Sequence, residues 1–134
     1  MPQPLAFQVF LADDYETAVE KVTAALKAEG YGVLTSVDMK ATLKKKLDAD
    51  FRRYVILGAC NPPLAYRALQ SDPLVGLLLP CNVVVEESGT GSLVSIVNPD
   101  AALQVGTLAE NPEIEAVAAE ARARLERVAA ALAA

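Results

Sequence analysis

The chain has 134 residues, with 12 Lys and Arg against 17 Asp and Glu for a net charge of −5, and it contains no His. The absence of His excludes a Ser-His-Asp triad, a Cys-His dyad and His-ligated zinc or iron, and two Cys are too few for a four-Cys zinc site. An acidic chain with 5% aromatic residues also argues against nucleic-acid binding. The length suits a single domain over residues 1–134, with a core that needs neither disulfides nor a structural metal.

Met1-Pro2-Gln3-Pro4-Leu5 carries no basic signal region, and no apolar run approaches the roughly 18 residues of a membrane span, so the expectation is a cytoplasmic protein without a membrane partner. Leu5, Phe7 and Val9 alternate along a first strand. A helix follows, opened by Asp13 with Glu16 as a capping box, carrying Tyr15, Val19, Val22 and Leu26 on one face and ending at Gly30. Val33–Val37 reads as a second strand.

Residues 39–53 hold Lys40, Lys44, Lys45, Lys46, Arg52 and Arg53 against Asp48 and Asp50, a local charge of +4 in an acidic chain. Met39, Leu43 and Leu47 recur at a spacing that predicts a short helix with one apolar stripe and a cationic face. Tyr54-Val55-Ile56-Leu57 is a continuous apolar run, which predicts a central strand covered on both faces.

Asn61-Pro62 then caps a helix through Leu64, Ala65, Ala68 and Leu69, which Ser71-Asp72-Pro73 stops. Cys81–Val85 and Leu93–Val97 flank a Gly-rich turn and form a hairpin. Residues 98–110 read as a loop, and Asn111-Pro112 opens a last helix with Ile114, Val117, Ala121, Leu125, Val128 and Leu132 on one stripe. The order implies an α+β domain with a single, mainly antiparallel sheet of about five strands packed by helices.

Two blocks carry unusual chemistry: Gly58-Ala59-Cys60-Asn61-Pro62 and Leu79-Pro80-Cys81-Asn82, each with a Cys-Asn dipeptide at a strand end. Cys60 directly precedes a helix N-cap, where free N–H groups and the helix dipole would lower a thiol's pKa. If the two strands are antiparallel neighbours, both sulfurs share one rim of the sheet; buried Cys that serve only as small hydrophobes are the alternative. Lys46 is the candidate cation for that rim, and no metal or cofactor site is indicated.

These blocks, with Lys40-Ala41-Thr42-Leu43 and Tyr54-Val55-Ile56-Leu57, resemble the bacterial and archaeal domain of unknown function 302 family, over most of the chain. The resemblance implies a TATA-binding-protein-like fold, a β-α-β-β-β-β-α core with an extra helix, assembled as a homodimer and without an established activity. It maps family motif positions onto Lys46, Gly58, Cys60, Asn61, Pro62, Pro80, Cys81 and Asn82.

Three readings of function follow. The first is a small-ligand or ion-binding module, taking a small anionic ligand at Cys60, Asn61, Cys81, Asn82 and Lys46. The second is a structural or interaction homodimer without chemistry. The third is a thiol redox protein with Cys60 as nucleophile and Cys81 as resolving partner.

Overall fold

Alternating apolar side chains build β1 (Ala6–Leu11), β2 (Gly32–Asp38), β3 (Tyr54–Cys60), β4 (Cys81–Ser88) and β5 (Gly91–Val97). They form one five-stranded sheet in the order β1-β5-β4-β3-β2, antiparallel at every pairing. The computed structural model describes residues 3–134; Met1 and Pro2, the start of the N-terminal reading, lie outside the described residues. The helices are α1 (Tyr15–Ala28), α2 (Met39–Leu47), α3 (Pro62–Ser71), α4 (Pro99–Leu103) and α5 (Pro112–Ala133). The fold is α+β, as expected from the chain order.

Ala18, Val22 and Leu26 of α1 and Leu125 and Val128 of α5 bury against Val55, Leu57, Val83, Val85, Val94 and Ile96 on one face of the sheet. A second apolar cluster joins Leu64 and Ala68 of α3 to Val75, Leu103, Ile114 and Val117, at the end of the sheet where β3 stops. The two clusters together make α5 the element against which both α1 and α3 pack.

Four local expectations change. Asp14, not Asp13, caps α1, accepting the Thr17 N–H at 2.8 Å; Asp13 pairs instead with Lys21 at 2.7 Å. β3 is not covered on both faces: Val55, Leu57 and Ala59 are buried, whereas Tyr54 and Ile56 are half-buried on the face away from the main core. A run of apolar residues satisfies a half-open strand as well as a covered one, because the second face also tolerates apolar side chains. The stripe on α2 is not fully buried anywhere, with Met39 and Leu43 half-buried and Leu47 70% exposed, because α2 rests mainly on β2 and β3 and joins neither cluster. Residues 98–110 are not a plain loop, since they contain α4 and a 3-10 turn over Gly106–Glu110. Asn98 starts α4 by accepting the Asp100 N–H, with Pro99 at the first helical position.

α1 ends at Gly30, whose φ of +86° is the left-handed conformation that glycine adopts without a Cβ penalty. That turn delivers Tyr31 into the core, where it is 2% exposed, directly before β2.

Candidate functional site

The register between β3 and β4 sets Ala59 opposite Cys81 and Gly58 opposite Asn82, and on the other side of β3 Gly32 pairs with Cys60. Successive side chains in a strand point to opposite faces. Cys81 therefore shares the helix-covered face with Ala59, which is 0% exposed, and packs against the main core cluster. Cys60 and Asn82 take the alternate positions with Gly58, and Asn82 is exposed. Asn61 returns to the inner side and is buried. Each Cys-Asn dipeptide thus contributes one residue to each face: Cys81 and Asn61 inside, Cys60 and Asn82 outside.

Cys60, Cys81, Asn61 and Tyr31 meet at a cavity of about 30 Å³ walled by Leu64 of α3 and by Val117 and Ala121 of α5. A water needs about 10–15 Å³ of such space, so the cavity suits one or two water-sized occupants. Sites for organic metabolites are roughly tenfold larger.

Both thiols are free. Burial, with the neighbouring Cys60 adding to it, pushes the Cys81 thiol up to about 11. The Tyr31 hydroxyl is also raised, mainly by burial and then by the charge of Cys81, while Arg124 acts in the opposite direction. The interior at this end of the sheet therefore holds its acids neutral.

The start of α3 lacks the free N–H groups that the sequence suggested. Pro62 and Pro63 carry none, Leu64 N–H donates to Asn61 Oδ1 at 3.2 Å, and Ala65 N–H donates to the Asn61 carbonyl at 2.9 Å. Neither thiolate activation nor anion binding has a backbone donor there.

Lys46 does not join the site. It lies exposed in the last turn of α2, a helix that begins where Asp38 pairs with Val55, roughly 17 Å along β3 from Cys60. The cationic run is also partly neutralised by folding, through Arg52 and Arg53. Lys44 pairs with Asp48 at 2.9 Å, Arg52 with Glu86 at 2.8 Å, and Arg53 with Glu16 at 2.6 Å, while Lys40 donates to the Phe51 carbonyl.

Two residues near the cavity were not picked out from sequence. Tyr31, between Gly30 and Gly32, carried a weak signal as an aromatic following a helix stop. Arg124 carried none, because only the packing of α5 on α1 brings it there. A Cβ built on Gly30 would lie 3.0 Å from Asn61 Nδ2 and 3.8 Å from Arg124 Nη1, so glycine leaves space between the amide and the guanidinium. Arg124 is held by Glu29 O at 3.1 Å and Glu120 Oε2 at 3.4 Å.

Gly58 also has a spatial reason: a Cβ there would collide with Thr35 Oγ1 and Pro80 Cγ. Among the described residues, no three His, Cys, Asp or Glu side chains are grouped so as to hold a metal ion, and no helix is long and apolar enough to cross a membrane.

The chain is similar to a solved structure, the uncharacterized conserved protein DUF302 from Bacillus stearothermophilus, at 28% identity and a TM-score of 0.83, covering 94% of this chain and 96% of that one. No curated protein matches the sequence. The family described as "Domain of unknown function DUF302" matches residues 7–132, which include every strand but the first residue of β1 and both Cys-Asn blocks. With the same fold and a match over nearly its whole length, the chain belongs to the DUF302 family.

Proposed function

We propose that this protein is a small-ligand-binding module whose site is the cavity at Tyr31, Asn61 and Cys81. The observation that supports the reading is the convergence of three polar groups from separate elements on one otherwise apolar cavity of about 30 Å³. Cys60 also lines the cavity, whereas Asn82 and Lys46 lie outside its lining. The size favours an ion or a species of a few atoms.

The test is a thermal-shift panel of ions and small neutral molecules on the wild type and on Cys81→Ala and Asn61→Ala. Stabilisation by a panel member that both substitutions abolish supports the reading, and a panel without any dose-dependent shift overturns it.

A second reading, a homodimer across the open sheet face, has its own support. Phe10 is 57% and Val37 42% exposed on the face opposite the main core, alongside half-buried Ile56, Val84 and Leu93. Five strands about 4.8 Å apart and about 20 Å long offer roughly 500 Å² per copy, so a two-fold pairing buries about 1,000 Å², the lower bound for a specific interface. Sedimentation velocity of the wild type against Phe10→Lys tests it: a dimer that the substitution converts to monomer supports it, and a monomeric wild type ends it. The redox reading finds no support in a pair of free thiols whose strand positions alternate between faces.

A further inference from the structure

The hydrogen-bonding groups around the cavity are unevenly spent. Asn61 Oδ1 is filled by the Leu64 N–H at 3.2 Å, which leaves the amide Nδ2 as its free side. No acceptor among the described residues takes that Nδ2 or the Tyr31 hydroxyl. Both side chains are more than nine-tenths buried, at 7% and 2% exposed. Among the described residues no side-chain N or O atom is sealed in the interior without a partner, so both groups keep some accessible surface, and both residues line the cavity. The Arg124 guanidinium stands beside them, since Arg124 Nη1 and Asn61 Nδ2 lie 3.8 and 3.0 Å from one point next to Gly30.

Tyr31 and Asn61 line the small cavity, no carboxylate does, and Arg124 stands outside the lining, beside Asn61 at Gly30. Glu120 is turned to Arg124 Nε at 3.4 Å, leaving Arg124 Nη1 toward Glu29 O and Asn61. A cation would meet protonated Cys81 and no carboxylate. An acceptor finds the hydroxyl, the amide and the guanidinium on three elements of the fold.

Resting on the small-ligand reading above, we infer that one small monovalent anion binds on the side of the cavity where Asn61 approaches Gly30 and Arg124, held by Tyr31 Oη, Asn61 Nδ2 and Arg124. The apolar walls select weakly hydrated anions such as bromide or azide over fluoride or sulfate, because the desolvation cost decides entry. The site differs from a helix N-terminal anion site: its donors are side chains, and the two prolines at the start of α3 remove the backbone donors.

The experiment is a titration of the reduced full chain with sodium bromide and with sodium azide at constant ionic strength, followed by the amide resonances of Gly30 and Tyr31 and the side-chain amide of Asn61. The expected result is a saturable shift at these three positions, absent with fluoride. Tyr31→Phe and Arg124→Gln each weaken it by about tenfold or more, as loss of a charge-assisted hydrogen bond does. Tyr31→Phe removes only a hydroxyl, and its unfolding midpoint reports whether the fold is kept. Shifts that grow linearly without saturation, or that are unchanged in both variants, identify an adventitious ion only and overturn the site. If formamide, a neutral acceptor of similar size, shifts the same resonances and bromide does not, the small-ligand reading stands and the anion falls. If neither shifts them, both fall.

Discussion

Cys60 and Cys81 sit one register step apart on neighbouring strands: Cys81 faces Ala59, and Cys60 is the next residue along β3. In a pleated strand one step reverses the face, so two dipeptides of the same composition present opposite residues to the interior. The inner members, Cys81 and Asn61, meet Tyr31 and the wall of α5; of the outer members, Cys60 at the end of β3 still reaches the cavity, whereas Asn82 does not.

Burial of Cys81 makes stability fall at alkaline pH. Its thiol is raised from 9.0 to about 11 in the folded protein, so the stabilisation is complete below pH 9 and is lost as pH rises through about 11, because the unfolded chain releases this proton first. Between pH 8 and pH 9.5 the loss is about 1 kcal/mol from this thiol. Tyr31 adds a loss of the same sign above pH 10, its ordinary value. Urea unfolding at the two lower pH values should show a smaller decline in Cys81→Ala than in the wild type; equal declines would refute the assignment.

Gly58→Ala should destabilise the protein by about 1–3 kcal/mol, the usual cost of overpacking a closed position. Its Cβ would strike Thr35 Oγ1 and Pro80 Cγ on the neighbouring segments. Thr35→Ala removes the first of these obstacles, so the double variant should lose less than the sum of the two single losses. Additive losses in denaturant titrations would show that the contact with Thr35 does not set the cost.

Asn61→Ala removes the α3 cap that now accepts the Leu64 N–H at 3.2 Å. The expected cost is about 1 kcal/mol, with Asn61→Asp retaining most of the stability because a carboxylate oxygen caps equally well. Chemical denaturation of the two variants checks the order; an Asp variant less stable than the Ala variant would mean that capping is not the main role of the side chain.

Leu125 is 0% exposed between α5 and the sheet, whereas Leu47 on α2 is 70% exposed. Leu125→Ala should cost about 2–5 kcal/mol and Leu47→Ala less than about 0.5 kcal/mol. A comparable drop in unfolding midpoint for both would require α2 to be packed in solution in a way that its contacts here do not provide.

Most of the elements were legible because they depend on neighbours in the chain. Asn61-Pro62 and Asn111-Pro112 each cap a helix as residues of those types do, and alternation marks β5 at Leu93–Val97. The cap at Asp14 was misplaced by one residue because Asp13 satisfies the same local rule, and only the pairing of Asp13 with Lys21 distinguishes them. The cationic run was legible as composition, but not its neutralisation. Glu16, Glu86 and Glu87 approach Arg52 and Arg53 only when β3, β4 and α1 are assembled.

The candidate site divides in the same way. Local pattern suffices to mark the two Cys-Asn blocks as strand ends, to rule out imidazole chemistry, and to place Pro62 at a helix start, because each of these is a property of residue type or of a few adjacent residues. Which Cys faces inward is a matter of register between β3 and β4, and register is set by the burial of whole strands. Tyr31 and Arg124 belong beside Asn61 only because α1, β2 and α5 converge on that end of the sheet. Tertiary packing thus keeps Cys60, Asn61 and Cys81 in the lining of one cavity, leaves Asn82 and Lys46 outside it, adds Tyr31, and sets Arg124 beside Asn61 at Gly30.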